Sequence, residues 1–195
     1  MDRLRERIEQ LVPVSDTLWE EIVSRSKKVK LKTGEVLVPF GSVNRFSYFL
    51  LSGSCVCSQA SKSGKTRVIW FYFHDLFEFF GTPDSLFNGE PTKYELRAFT
   101  NCEIIKIHRS SIDELVAADK NFNDFFIRRI LFDYITVFEA RSYLLTYTSS
   151  EFLEYISDKY PLIIERIPAK YIADFIGVTP EWYSKLKKEL NSNKS

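Results

Sequence analysis

The stretch that decides the fold is "RIPAKYIADFIGVTPEWYSKLKKEL", Arg166 to Leu190. Two helical patterns meet in it at a glycine. Pro168 suits the first turn of a helix, where its missing N–H costs nothing. Ala169 to Ile176 can follow as that helix, with Ile172, Phe175 and Ile176 pointing inward. Ala173 is small where a second helix must approach closely. Gly177 supplies the turn, because a left-handed backbone is cheap only for glycine. Val178 plugs the turn with apolar bulk, Thr179 caps the next helix and Pro180 takes its first position. Along that second helix Trp182, Tyr183, Leu186 and Leu190 alternate between packing and surface.

A small residue, a glycine turn, an apolar plug and a capped second helix are what a helix-turn-helix requires. Its exposed face carries Pro180, Glu181, Ser184, Lys185 and Lys188. Glu181 can accept from a cytosine amino group, and Lys185 can donate to guanine O6 and N7. Thr179 and Lys187 fall where phosphates lie, positioning the protein without reading sequence. Charge agrees locally. From residue 166 onward Arg166, Lys170, Lys185, Lys187, Lys188 and Lys194 face only Asp174, Glu181 and Glu189, a balance of +3 in a chain that totals +1. A plain helical hairpin with solvated lysines is the alternative, and the glycine and cap at the right offsets weigh against it.

Upstream, "TSSEFLEYISDKYP" reads as a short helix capped by Thr148 or Ser149, with Glu151 near a capping-box position and Pro161 as its stop. Before it, residues 110–147 contain neither Pro nor Gly. Ser110 or Ser111 can cap a first short helix there. Phe122, Phe125, Phe126, Ile130, Tyr134, Val137 and Phe138 then recur at helical spacing, and Ile127, Leu131 and Ile135 add a second apolar stripe. A helix apolar on more than one face is buried on more than one side. The spacing predicts that one face packs on the preceding domain and the other on a partner, with burial of both faces within one chain as the alternative.

From Val29 to about His108 the period is two. "VKLKTGEVLVPFG", "SYFLLSGSCVCSQ", "TRVIWFYF" and "KYELRAFTNCEIIKIH" read as strands. Gly34, Gly53, "SKSGK" and Asn101 mark turns. Short strands at near-regular spacing suggest a sandwich, barrel or jelly roll. Residues 3–28 read as helical, broken at Pro13 and restarted by a cap at Ser15 or Asp16.

Composition bounds the function. The 195 residues are 45% hydrophobic and 15% aromatic, enough for a substantial core. A net charge of +1 argues against a protein that coats nucleic acid non-specifically. Cys55, Cys57 and Cys102 suit neither a disulfide framework nor a zinc site, and point to a reducing compartment. "MDRLRERIEQ" lacks a signal-peptide core, and the longest apolar runs fall far short of the roughly 18 residues of a membrane span. The reading is a cytoplasmic protein without membrane contact. His74 and His108 are the only histidines, too few for the clustered ligands of a catalytic metal, so neither an enzyme nor a metal site is expected.

Over about residues 10–190 the chain resembles the Crp/Fnr family of bacterial transcription regulators. "IPAKYIADFIGVTPEWYSKLKKEL" follows that family's helix-turn-helix without a gap. "LKTGEVLVPFG" and "FLLSGSCVC" are similar to its strand–glycine segments. "FEFFGTPDSLFNGEPTKYELRAFTNCEIIKI" is similar to its phosphate-binding cassette and the strands that follow. The resemblance implies an α+β fold: a jelly-roll-like β-roll of cyclic-nucleotide-binding type over residues 1–116, a dimerisation helix over 117–146 and an all-helical helix-turn-helix domain over 147–195. It implies a homodimer joined through Phe126, Ile130, Tyr134, Val137 and Phe138. In the family's pattern the base-reading positions fall on Pro180, Glu181 and Lys185, with Ser184 beside them. With Thr179, Lys187 and Lys188 from the exposed face these form the DNA-binding set expected to act on a palindromic operator in double-stranded DNA. RNA polymerase and an unknown small-molecule effector are its further candidate partners.

The cassette departs from the family where the chemistry lies. The effector-pocket candidates are Gly81, Thr82, Thr92, Lys93 and Arg97. Thr82 stands where the family's sensors place the glutamate that holds the ribose. Thr92 and Lys93 stand where they place an arginine and a small hydroxyl residue, and bulky Tyr94 follows. Lys93 meets a phosphate only as a point charge, without a bidentate fork. Tight binding of cyclic AMP or cyclic GMP is therefore not expected, and no cofactor is predicted. Pro180, where many members carry arginine, implies an unfamiliar half-site. The end shortly after the second helix looks like the Bacteroidetes-type members. The competing reading is a ligand-binding module with a degenerate nucleotide pocket, its helix-turn-helix serving packing or protein interaction.

Overall fold

In the computed structural model, which describes residues 1–62 and 64–193, the period-two segments pair into two four-stranded sheets. Ser63 of the expected "SKSGK" turn, and Lys194 and Ser195, lie outside the described residues.

The chain opens with α1 (Asp2–Glu9) and α2 (Asp16–Ser24). Ser15 is the cap between them, its hydroxyl accepting from the Leu18 N–H at 3.1 Å. The helical reading to residue 28 is too long, because β1 (Ser26–Leu31) already starts at Ser26. All six of its residues pair antiparallel with Cys102–Ile107, and this long-range ladder overrides the local helical pattern.

The remaining strands are β2 (Val36–Val38), β3 (Phe46–Ser52), β4 (Ser54–Ala60), β5 (Thr66–Phe73), β6 (Phe79–Phe80), β7 (Tyr94–Ala98) and β8 (Cys102–His108). One sheet has the order β1-β8-β3-β6 and the other β2-β7-β4-β5. The chain crosses between them at Gly53, whose φ of +86° only glycine adopts cheaply. A Cβ there would also lie 2.2 Å from the Asn101 carbonyl oxygen, so the crossing requires glycine twice over.

Between β6 and β7 lies α3 (Pro83–Asn88), and after β8 come α4 (Arg109–Ala118) and α5 (Lys120–Thr146). Neither Ser110 nor Ser111 caps α4. The strand runs on to His108, whose Nδ1 accepts from the Ser110 N–H at 3.2 Å, and the serines fall inside the helix. Asp119 separates α4 from α5 and accepts from the Phe122 N–H at 2.9 Å. The apolar stripes of these helices explain why they sit where they do. Leu4, Ile8, Leu18, Ile22, Ile112, Leu115, Phe122 and Phe125 form one buried cluster with Phe49 of β3 and Ile105 of β8.

The chain divides into two compact units, Met1–Thr66 with Trp70–Phe132, and Arg67–Ile69 with Asp133 onward. The second contains α6 (Ser149–Lys159), α7 (Pro161–Arg166), α8 (Ala169–Ile176) and α9 (Pro180–Asn193). Thr148 and Glu151 form a reciprocal capping box at the start of α6. Pro161 ends α6 but also opens α7, a short helix that the sequence reading did not anticipate. Phe152, Leu153, Ile156, Ile163, Ile172, Ala173, Ile176, Tyr183 and Leu186 are buried in this unit. No described helix is long and apolar enough to cross a membrane.

Candidate nucleic-acid interface and sensor pocket

The junction of α8 and α9 follows from its residues one by one. Ala173 is fully buried, and its carbonyl accepts from the Val178 N–H at 2.9 Å as the chain leaves the helix. Gly177 takes φ +79° and ψ 25°, the left-handed end that lets the last carbonyls of α8 find donors. The Thr179 hydroxyl then accepts from the Trp182 N–H at 3.2 Å and starts α9. Tyr183 and Leu186 face inward at 1% and 3% exposure.

The opposite face of α9 carries the predicted DNA-contacting residues. Thr179, Pro180, Glu181, Ser184, Lys185 and Lys188 are exposed, and Lys187 is half-buried at the edge. Three of them have local partners. The Glu181 carboxyl is held below its usual range by its own backbone N–H and by the Thr179 hydroxyl, which makes it part of the cap. Ser184 donates to the Pro180 carbonyl at 2.9 Å. Lys185 lies 3.9 Å from Glu189, with its ammonium over the Trp182 ring. Trp182 shares this exposed region although its chemistry did not single it out.

On α5 the residues assigned to a dimer interface divide. Phe126 is half-buried, packing on the helix–sheet core and lying 6.4 Å from Phe87 by ring centroids. Ile130, Tyr134, Val137 and Phe138 are 41%, 63%, 54% and 59% exposed. Ile127, Leu131 and Ile135 of the second stripe are exposed beside them. The spacing 127, 130, 131, 134, 135, 138 is that of one helix face.

The cassette places the Thr92 hydroxyl and the Lys93 backbone N–H around Asp84. Its Oδ1 accepts from the Ser85 N–H at 2.8 Å and from the Thr92 hydroxyl at 2.9 Å, and its Oδ2 accepts from the Lys93 N–H at 2.8 Å. Next to it Asn44 donates to the Thr82 hydroxyl at 3.1 Å and accepts from the Tyr48 hydroxyl at 2.9 Å, while its N–H meets the Ser85 hydroxyl at 2.6 Å. Thr82, Ser85 and Thr92 are all buried. Burial pushes the Tyr48 phenol up, and burial together with the Asp84 charge raises that of Tyr94. Gly81 begins this segment and has room for a Cβ, with Leu86 at 3.5 Å. Arg97 does not join the group. Its guanidinium binds Glu95 at 2.8 Å and the Gly34 carbonyl at 2.8 Å, a bracing role within the β2–β7–β4 sheet. A carboxylate in the first turn of a Pro-led helix is the signal that could have pointed to Asp84. Its partners on the returning loop are not legible from spacing.

The cysteines are all free and buried. The Cys55 and Cys102 sulfurs lie 3.8 Å apart between the two sheets, and this contact and burial hold Cys55 as a thiol. Burial pushes Cys57 up to about 12. Among the described residues no three His, Cys, Asp or Glu side chains gather as a metal site. His74 contacts Gly53 and Asp75, and His108 serves as the α4 cap.

Residues 28–119, from β1 to the end of α4, match the cyclic nucleotide-binding domain family. Among solved structures, the whole chain is similar to CLP, the c-di-GMP responsive global regulator of Xanthomonas campestris, with TM-score 0.67 and 14% identity over 92% of this chain and 93% of that one. FixK2 of Bradyrhizobium japonicum gives TM-score 0.67 and 15% identity over 87% and 86% of the two chains. The catabolite activator protein of Thermus thermophilus gives 0.56 and 14% over 93% and 85%. No curated protein matches the chain in sequence. The fold is therefore Crp-like: a β-roll of cyclic-nucleotide-binding type, then a long helix and further helices.

Proposed function

We propose that the chain is a dimeric, sequence-specific DNA-binding transcription regulator of Crp/Fnr type that does not respond to cyclic AMP. The observation that carries this reading is the α8–α9 junction. A buried alanine, a left-handed glycine and a threonine cap leave Lys185 and Lys188 on the exposed face of α9. In a helix-turn-helix that face enters the major groove, where Lys185 reads guanine and Thr179 and Lys187 meet phosphates. Lys185, oriented by its contacts with Trp182 and Glu189, and Lys188 are the exposed cations that this face offers to base edges.

The exposed apolar face of α5 supports a homodimer, since a soluble monomer rarely leaves so continuous a stripe in water. A homodimer carries two reading helices, matching the two half-sites of a palindrome. The cassette supports insensitivity to cyclic nucleotides. Asp84, an anion of the chain itself, already takes the donors of Ser85, Thr92 and Lys93, and a cyclic phosphate there would meet its charge. Calorimetry with cyclic AMP is expected to show no sub-micromolar binding. The effector, if the regulator uses one, is a small molecule of another class.

The test is selection from a random double-stranded DNA pool at about physiological salt with the purified protein. Enrichment of a palindrome with half-sites about 10 bp apart is the expected outcome. A folded dimer that enriches no sequence and binds all DNA alike would count against it.

A further inference from the structure

Trp182 stands out on α9. Its neighbours Tyr183 and Leu186 are buried, yet Trp182 is 45% exposed on the shoulder of the lysine-bearing face. The Lys185 ammonium lies over its ring, 4.9 Å from the centroid, and 3.9 Å from the Glu189 carboxylate. The three residues sit at i, i+3 and i+7 on one side of the helix, the spacing at which such contacts form. The ammonium is thus held between a π face and a carboxylate, although the Lys185 side chain is 61% exposed.

Resting on the DNA-reading role proposed above, we infer that Trp182 is a positioning residue that fixes the Lys185 ammonium for base reading. The physical need is specific to lysine. Its charge is a point on a flexible stem, without the planar fork that preorganises arginine. A lysine free to sample its rotamers discriminates poorly between base edges. The ring restricts that sampling without neutralising the charge. Glu189 cannot do this alone, because the phosphates of DNA repel its carboxylate as the helix approaches. The uncharged ring keeps its hold at that stage. On the same face Glu181 and Ser184 bond within the first turns of the helix, and Lys185 is the lysine that a ring and a carboxylate orient.

The experiment uses full-length protein and the site enriched from the random pool. Fluorescence anisotropy is measured on a panel of duplexes in which each base pair of the half-site is varied. The proteins are wild type, Lys185→Ala, Trp182→Ala, Trp182→Phe and the Trp182→Ala/Lys185→Ala double variant. Trp182→Ala should reduce the preference by about two- to five-fold, the size of an exposed cation–π contact. The loss should appear only at the base pair that Lys185→Ala identifies. Trp182→Phe should restore most of it, and the double variant should be no worse than Lys185→Ala. An equal loss at every position, or an effect that adds independently to Lys185→Ala, overturns the inference. A wild-type preference untouched by Lys185→Ala also overturns it and leaves the DNA-reading role standing. Absence of any base preference in wild type removes that role and the inference with it.

Discussion

The carboxylate of Asp84 accepts the hydroxyl proton of Thr92 at 2.9 Å, across the loop that joins α3 to β7. Thr92 is 2% exposed, so this bond gives its buried hydroxyl an acceptor and ties the loop to α3. Asp84→Ala leaves the buried hydroxyl and the Lys93 N–H without their acceptor, a loss of about 1–3 kcal/mol. Urea denaturation should show a lower midpoint with little change in slope. Asp84→Asn keeps an acceptor and should lose less.

On α5, Phe138 is 59% exposed within the apolar face assigned to the dimer. Phe138→Glu should leave the far-UV circular dichroism unchanged, because the side chain supports little of its own fold. It should weaken self-association strongly, since each copy then buries an unpaired charge at a cost of about 3 kcal/mol, about 6 kcal/mol per dimer or on the order of ten-thousand-fold in the dissociation constant. Sedimentation velocity at a concentration where wild type is dimeric should show monomer.

Gly177 has φ +79° and open space around the position a Cβ would take. Gly177→Ala therefore acts through the backbone alone and should cost about 1–2 kcal/mol. Gly177→Asn, which tolerates the left-handed region better, should cost less. Differential scanning calorimetry of the three proteins ranks them.

Acid should act on the α6 cap. The Thr148 backbone N–H and hydroxyl, each 2.7 Å from Glu151, hold its carboxyl below the usual glutamate value. A carboxyl depressed by folding stabilises the fold above its unfolded value of about 4.3, and that contribution is lost as the pH falls through the folded value. Thermal stability of wild type should thus drop more steeply than that of Glu151→Gln on going from about pH 5 to pH 3. The glutamine keeps the reciprocal bonds but does not titrate in this range.

The features legible in the sequence are those made by residues close together in the chain. Gly177 and Thr179 mark the turn between α8 and α9, Thr148 with Glu151 marks the α6 cap, and Gly53 marks the crossing between sheets. The two caps depend on a hydrogen bond spanning a few residues, and Gly53 and Gly177 on a left-handed backbone at a single position. The apolar spacing of α5 is local in the same sense, and helical period alone brings its exposed stripe together.

Tertiary structure decided the rest. Ser26 is a strand residue because Ile107 lies opposite it, 81 positions away, and no local preference encodes that pairing. His108 displaced the serines as the α4 cap because β8 extends to it. Asp84 took over the cassette only when the loop carrying Thr92 and Lys93 folded back on α3. Arg97 was drawn to Glu95 and Gly34 by the packing of β2 on β7. Trp182 was an ordinary aromatic in a helical pattern until the packing of Tyr183 and Leu186 set the rotation of α9 and left its ring outside under Lys185. Residue types and short spacings select caps and turns, but which polar groups meet is settled only once the core fixes the elements against one another.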